Sequence, residues 1–313
     1  MAHGDWSLPD LTGRTFLVTG SNAGLGYFSS EHLVRAGATV IMTGRHPNRL
    51  AAARAAVRRR IPDADPERVE TLLLDTSNFG SVRAAAATVR MRGRLHGVLL
   101  NAGIVHPPAR RETTPDGHEI VFATNVLGHF ALAGELLLPL AAGLGRMVWL
   151  GSMATSISPY RPLDPELVEG YSAWRAYVQS KVATTALGLE ADRRLRAASI
   201  PVASVVAHPG YSTSGRTAGI IGVNEPSQVT RFADNLQSPI SQSKERGALP
   251  LVHALAGAGV EGGSFWGPRF VAHGAPRQAK PARVTRDPAV AERLWNVSEE
   301  ATGVYWPRSA LKR

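Results

Sequence analysis

The sequence predicts a doubly wound α/β fold, a parallel sheet with helices on both faces. Three observations carry that expectation. Short β-rich apolar runs alternate with longer helical stretches along most of the 313 residues, the rhythm of repeated strand–helix–strand units. The strand runs are apolar along their length, as burial on both faces of a parallel sheet requires. A glycine-rich turn from Gly20 to Gly26 joins the first strand to the first helix, where such folds hold anionic ligands.

Taken in order, residues 15–20 (TFLVTG), 39–44 (TVIMTG), 69–75 (VETLLLD) and 97–101 read as the first four strands. Residues 146–152 (RMVWLGS) and 202–208 (VASVVAH) read as two more. The intervening stretches 25–36, 47–60, 78–91, 116–141 and 170–195 are rich in Ala, Leu and Arg, residues that favour helix intrinsically. No internal repeat or long low-complexity linker interrupts them. After residue 262 the alternation fades into Gly/Pro-punctuated chain, with residues 263–268 (GSFWGP) expected as a last edge strand. The expected division is therefore a catalytic domain over 1–262 and, over 263–313, an extension lying on the substrate side.

Composition narrows the function classes. A hydrophobic share of 44% and a charged share of 19% are those of an ordinary globular protein. No apolar run approaches the roughly 18–20 residues that span a bilayer, and the first nine residues show no basic-then-apolar leader. With no cysteine, disulfides, thiolate metal sites and thiol catalysis are excluded together. A cytoplasmic protein without a membrane or metal site is expected. The net charge of +10 raises a nucleic-acid reading. Against it, lysine occurs only at positions 181, 244, 280 and 312, so 31 of the 35 basic residues are arginine, and they are scattered. Coding bias explains that pattern better than a binding face does.

The turn reads Thr19-Gly20-Ser21-Asn22-Ala23-Gly24-Leu25-Gly26. Glycine is needed where the chain turns tightly, where backbone approaches a pyrophosphate, and where helix packs close to sheet. The helix N-terminus then offers free N–H groups and a positive dipole end to phosphate. The spacing TGxxxGxG resembles that of the short-chain dehydrogenase/reductase family, and the resemblance runs through most of residues 10–270. It implies a single Rossmann-type domain binding a nicotinamide dinucleotide through Gly20, Ser21, Asn22, Gly24, Leu25 and Gly26.

Cofactor choice is read at the end of the second strand, where an acid would bond the ribose hydroxyls of NAD and an arginine would accommodate a 2′-phosphate. Gly44 stands in the acid's place and Arg45 follows; a guanidinium fork suits phosphate. NADP(H) is expected. The resemblance further implies an adenine contact from Asp75, which could equally cap the following helix. It also implies a ribose-side turn at Asn101-Ala102-Gly103, where Leu100 replaces a second asparagine common in the family. A second turn at Pro209-Gly210 is implied too, with Thr213 meeting the nicotinamide carboxamide.

Tyr177 and Lys181 stand four apart on a predicted helix, so their side chains share a face. A free phenol has a pKa near 10; a neighbouring ammonium favours the phenolate and lowers it. By the resemblance, Tyr177 is the proton-handling group and Lys181 holds the nicotinamide ribose. Ser152 would hydrogen-bond the substrate oxygen, and Asn125 would hold a water for proton relay. The reaction so implied is hydride transfer between the nicotinamide and a small-molecule ketone, aldehyde or alcohol. His208 is expected to be structural, and no histidine has metal-ligand spacing.

Substrate evidence is thinner. Ser152 and Tyr177 lie 25 positions apart, and the insert over 158–174 resembles that of retinol-dehydrogenase-like relatives, which handle bulky apolar alcohols and aldehydes. Tyr160, Tyr171, Trp174, Tyr211, Phe232, Phe265 and Trp266 are candidates for an aromatic lining. The Gly/Ser/Thr-rich stretch 212–243 is a candidate lid. The composition also suits a bacterial secondary-metabolism reductase. Two competitors stay open: an NADP-using isomerase or dehydratase of the same fold, and a non-catalytic NADP sensor. Homodimers or tetramers through the helices carrying Asn125 and Tyr177 are implied by the resemblance, unless the C-terminal extension blocks them.

Overall fold

The computed structural model describes residues 7–157, 164–238 and 240–307. Its frame is an alternation of strands β1 (Thr15–Val18), β2 (Thr39–Gly44), β3 (Val69–Leu73), β4 (Gly97–Leu100), β5 (Arg146–Leu150) and β6 (Ala203–Ala207) with helices. The helices are α1 (Gly24–Arg35), α2 (Pro47–Arg60), α3 (Phe79–Arg90), a broken series α4 (Ile120–Phe122), α5 (Gly128–Glu135) and α6 (Leu137–Ala142), then α7 (Ala154–Ile157) and α8 (Ala173–Ala197). Beyond β6 come the short β7 (Ser212–Thr213), α9 (Gln228–Leu236), β8 (Gln242–Ser243) and α10 (Lys244–Ala256). Strands β9 (Phe265–Pro268) and β10 (Pro276–Ala279) and helix α11 (Pro288–Thr302) complete the described chain.

The main sheet has the order β10-β9-β6-β5-β4-β1-β2-β3. Every pair is parallel except β9–β10. A single row of register runs Ile41–Leu17–Val98–Met147–Ser204. The apolar strand runs are explained by two cores, one on each face. Phe122, Phe130, Trp149, Leu187 and Trp295 belong to the core beneath α3, α5, α8 and α11. Phe16, Tyr27, Phe28, Leu50 and Leu251 belong to the core beneath α1, α2 and α10. Because β1 lies between β2 and β4, the winding reverses there, and a crevice opens beyond the carboxyl ends of β1 and β4.

Three sequence expectations are corrected. The helix expected over 116–141 is interrupted. Thr113 and Glu119 form a bridged turn, and Glu119 caps α4 by accepting from the N–H groups of Val121 and Phe122. A π-helical turn follows at Ala123–Leu127, and Leu136 leaves helical geometry with φ −95° and ψ 5°. Pro139 has no N–H to return to the Glu135 carbonyl. The strand at Phe265–Pro268 is not the sheet edge, because antiparallel β10 takes that place. The C-terminal stretch is also more regular than expected. α11 is capped by Asp287 and ends on left-handed Gly303, start and stop signals present in the sequence. α11 lies on α5 and α8: Trp295 is 4.4 Å under the Arg194 guanidinium, about 25 Å along α8 from Tyr177 at 1.5 Å per residue.

Candidate active site

The glycine turn is shaped by what stands next to it. Gly20 and Gly24 have φ of 64° and 58°, a region that favours glycine. A Cβ on Gly20 would come within 2.8 Å of Ala102 Cα, and one on Gly26 within 2.6 Å of Asn101 Nδ2. Thr19 ties the two strand ends together. Its Oγ1 accepts the backbone N–H groups of Asn101 and Ala102 at 2.7 and 2.8 Å. Asn101 Nδ2 donates in return to the Thr19 carbonyl at 2.7 Å. Ser21 is also turned inward, its hydroxyl accepting the Thr43 N–H at 2.7 Å. The side chains of Asn101 and Ser21 therefore hold the turn, leaving backbone to face a ligand. The N-cap of α1, Ala23, has no capping side chain, so the first N–H groups of the helix are open to an anion.

At the end of β2, Gly44 is buried and a Cβ there would lie 3.2 Å from Asn22 Oδ1. Arg45 beside it is exposed. Asp75 does not cap α3; Asn78 does, accepting the Ser81 N–H. Asp75 instead accepts from the Ser77 backbone and hydroxyl through Oδ1. On the other side of the crevice, Gly210 (φ 66°) packs its backbone against Ala272, and the Pro209 carbonyl accepts from Ser212 and Gln242. Thr213 Oγ1 is buried without a hydrogen-bond partner, an orphan that a ligand amide would satisfy. These residues fit a nicotinamide dinucleotide: open helix N–H groups for its diphosphate, and a waiting hydroxyl beyond β6.

The chemistry-bearing groups meet at the ends of β5 and α8. Tyr177 Oη donates to Ser152 Oγ at 3.2 Å. Lys181, one turn on, is buried and donates through Nζ to the Leu150 carbonyl at 2.9 Å. Burial lowers the Lys181 ammonium to about 8 and raises the Tyr177 phenol above its ordinary value, the Ser152 bond opposing the latter. The expected lowering of the phenol by the ammonium is therefore not the dominant effect here: Lys181 points to Leu150, and desolvation wins. A protonated Tyr177 beside a serine hydroxyl is suited to receiving a carbonyl oxygen and donating a proton to it.

Asn125 lies in the π-helical turn. Its Oδ1 accepts the Ile104 N–H at 2.7 Å, and its Nδ2 donates to the Ile104 carbonyl and to Ser180 Oγ. Ser180 Oγ donates to the Tyr177 carbonyl at 2.7 Å. Asn125 thus braces the turn after β4 against α8. A Cβ on Gly103 would come within 2.9 Å of Asn125 Oδ1, which explains the glycine. His129, one turn later, touches Thr19 Oγ1 at 2.9 Å and is held neutral by burial, at about 3. His208 is likewise held neutral by burial, at about 4, and stacks on Phe265 behind the Pro209-Gly210 turn.

Ser152 and Tyr177 meet through one hydrogen bond with Lys181 one turn on, whereas the Asn125 side chain reaches Ile104 and Ser180. The structure separates the aromatic candidates. Phe265 and Trp266 pack on His208 and His253 as part of the sheet's surroundings. Tyr171 donates to the Pro108 carbonyl, and Tyr211 to Gln237 Oε1. Trp174 is half exposed, 6.2 Å from the Tyr177 ring, and Phe232 is exposed on α9. Tyr160 lies outside the described residues. Sequence reasoning missed Thr19, His129 and Ser180. Thr19 and His129 sit inside motifs whose sequence signal lies in their glycines and asparagine, and no pattern in one chain marks their contact.

The short chain dehydrogenase family model matches residues 14–220, about two thirds of the chain. The chain belongs to that family. Short-chain dehydrogenases similar to it include the polyprenol dehydrogenase of Mus musculus, 33% identical over 95% of this chain and 86% of that one. Retinol dehydrogenase 13 of Homo sapiens is 30% identical over 95% and 87%. A crystal structure of an uncharacterized protein from Mycobacterium Paratuberculosis superposes with a TM-score of 0.77 at 33% identity, covering 96% of this chain and 99% of that one. This short-chain dehydrogenase is an oxidoreductase of the retinol-dehydrogenase-like kind. Among its described residues no helix is long and apolar enough to cross a membrane, and no group of ligating side chains could hold a metal ion.

Proposed function

We propose that this short-chain dehydrogenase is an NADP(H)-dependent reductase or dehydrogenase acting on a bulky, partly apolar ketone, aldehyde or alcohol. The observation that carries the reaction is the Tyr177–Ser152 hydrogen bond at 3.2 Å with buried Lys181 one turn away. When bound, the nicotinamide supplies or takes the hydride at the substrate carbon. Gly20, Ser21, Asn22, Gly24, Leu25 and Gly26 hold the dinucleotide by backbone and helix N-terminus. Arg45, with Gly44 leaving room, receives the 2′-phosphate. Asp75 offers its second carboxylate oxygen to the adenine; Asn101, Ala102 and Gly103 shape the ribose side; Pro209, Gly210 and Thr213 receive the carboxamide end.

Ser152 and Tyr177 orient the substrate oxygen. In the reductive direction the Tyr177 proton passes to that oxygen, and the charge developing there is stabilised by the Ser152 hydroxyl. Lys181, at about 8, can carry a replacement proton near neutrality. Asn125 keeps α8 and the Gly103 turn in register for this transfer. A bulky apolar substrate is supported by the polyprenol and retinol dehydrogenase relatives, by half-exposed Trp174, and by the exposed Val229, Phe232 and Leu236 on α9. Tyr177→Phe tests the assignment. It should lower turnover about 10²–10⁴-fold while NADPH affinity, measured by titration, stays at the wild-type value; near wild-type turnover would refute it. Tight NADPH binding with no change in nicotinamide absorbance across a panel of ketones, aldehydes and secondary alcohols would favour a sensor instead.

A further inference from the structure

Lys244 is a cation at the crevice that the proton chemistry does not use. Lys244 opens α10, and its side chain lies over the phosphate turn. An ideal Cβ on Gly24 would be 3.7 Å from Lys244 Cδ and 3.8 Å from Nζ. Gly24 is the first residue of α1, whose N-cap Ala23 provides no side-chain cap. Lys244 is partly buried, and among the described residues no carboxylate lies within ion-pair distance of it. The acidic group that faces it at longer range is Asp234, whose Oδ2 accepts the Gly215 N–H. Burial lowers the Lys244 ammonium from its usual range.

The backbone of Lys244 is fixed by the unit that fixes Thr213. β7 and β8 pair with Thr213 opposite Ser243. The Lys244 N–H donates to Thr217 Oγ1 at 2.9 Å, and that hydroxyl donates to the Thr213 carbonyl at 2.7 Å. Farther along α10, a Cβ on Gly247 would come within 3.1 Å of Leu25 Cδ2, so the two helices pack closely beside the turn. The result is a partly desolvated ammonium facing open helix N–H groups across Gly24. Withdrawing a charge from water without a partner is costly, whereas an anion between the two would satisfy both.

We propose that Lys244 binds the diphosphate of the dinucleotide, from the side opposite the α1 N–H groups. This rests on the dinucleotide reading above. The diphosphate is favoured over the 2′-phosphate because Nζ lies at Gly24, whereas the Gly44–Asn22 contact marks the other end of the turn. Lys244 therefore couples the 212–243 stretch to cofactor retention.

The test is equilibrium titration of NADP⁺, NAD⁺ and adenosine 2′-monophosphate against wild type, Lys244→Ala, Lys244→Gln and Lys244→Arg, with thermal melting as the check on folding. Both Lys244→Ala and Lys244→Gln should weaken NADP⁺ and NAD⁺ alike, by about tenfold or more for a lost charged hydrogen bond. Adenosine 2′-monophosphate, which has no diphosphate, should bind as before. Lys244→Arg, with charge retained, should stay within about threefold of wild type. Unchanged dinucleotide affinity overturns the proposal. So does a loss confined to NADP⁺ and adenosine 2′-monophosphate, which would move Lys244 to the 2′-phosphate, or a loss in Lys244→Ala that Lys244→Gln does not share, which would assign it to packing. A wild-type protein that binds neither dinucleotide refutes the functional reading itself, a separate result.

Discussion

Lys181→Met isolates the energetic consequence of burying the Lys181 ammonium. Lys181 is 4% exposed, and its ammonium lies at about 8 against an ordinary 10.5. A difference of about 2.5 units at 1.36 kcal/mol each is a penalty of about 3 kcal/mol on the charged folded state. Methionine keeps an unbranched apolar stem and removes the charge, but strands the Leu150 carbonyl that Nζ bonds, at about 1 kcal/mol. Between the folded and unfolded pKa values the unfolded chain holds the extra proton, so wild-type stability rises with pH there. At pH 7 the variant should be more stable than wild type by about 2 kcal/mol. As pH climbs from about 8 to about 10.5 that advantage should close and reverse, leaving wild type ahead by about 1 kcal/mol. Urea unfolding of both proteins, without cofactor, across this range reads the difference directly. A stability gap that does not move with pH would show that burial does not depress this lysine, and the proton-carrying role given to it would fall.

Other substitutions probe the cofactor end and the scaffold. Arg45→Ala should weaken NADP⁺ by about tenfold or more and leave NAD⁺ unchanged; equal affinities for the two dinucleotides in wild type would dismiss the 2′-phosphate assignment. Trp295→Ala empties a fully buried site edge-on to Phe130 and Trp306 and should cost about 3–5 kcal/mol in denaturant unfolding, while the folded variant keeps its affinity for NADPH. In Gly128→Ala the new methyl would run into the Thr76 carbonyl, a backbone atom that cannot rotate away. Loss of the cooperative thermal transition is expected, and a wild-type melt would show that α5 can slide.

Much of this protein was legible because the candidate site rests on short spacings. A turn made of Gly20, Gly24 and Gly26, and a tyrosine–lysine pair on one helix face, are local patterns, and each survived in three dimensions. Strands β1, β2, β4, β5 and β6 were legible for the same reason: burial on both faces leaves unbroken apolar runs. Helix α2 was recovered residue for residue because Pro47 opens it and Arg58–Arg60 close it. What failed lies where long-range contact overrides local preference. The helix expected through Asn125 breaks into a π-helical turn, which places the Asn125 amide between Ile104 and Ser180.

By itself the sequence determined the order of strands β1 to β6 and the glycine turn that opens α1, and it nominated Tyr177 and Lys181 as a pair on one helix face. Only the tertiary structure decided their state. Desolvation, a property of everything packed around a side chain, sets Tyr177 up and Lys181 down, and hydrogen bonds to Thr19 and Thr43 turn Asn101 and Ser21 inward to hold the turn. Likewise, nothing near Lys244 in the chain reveals that it stands over Gly24. Those two residues are far apart in sequence, and the packing of α10 on α1 is what brings them together.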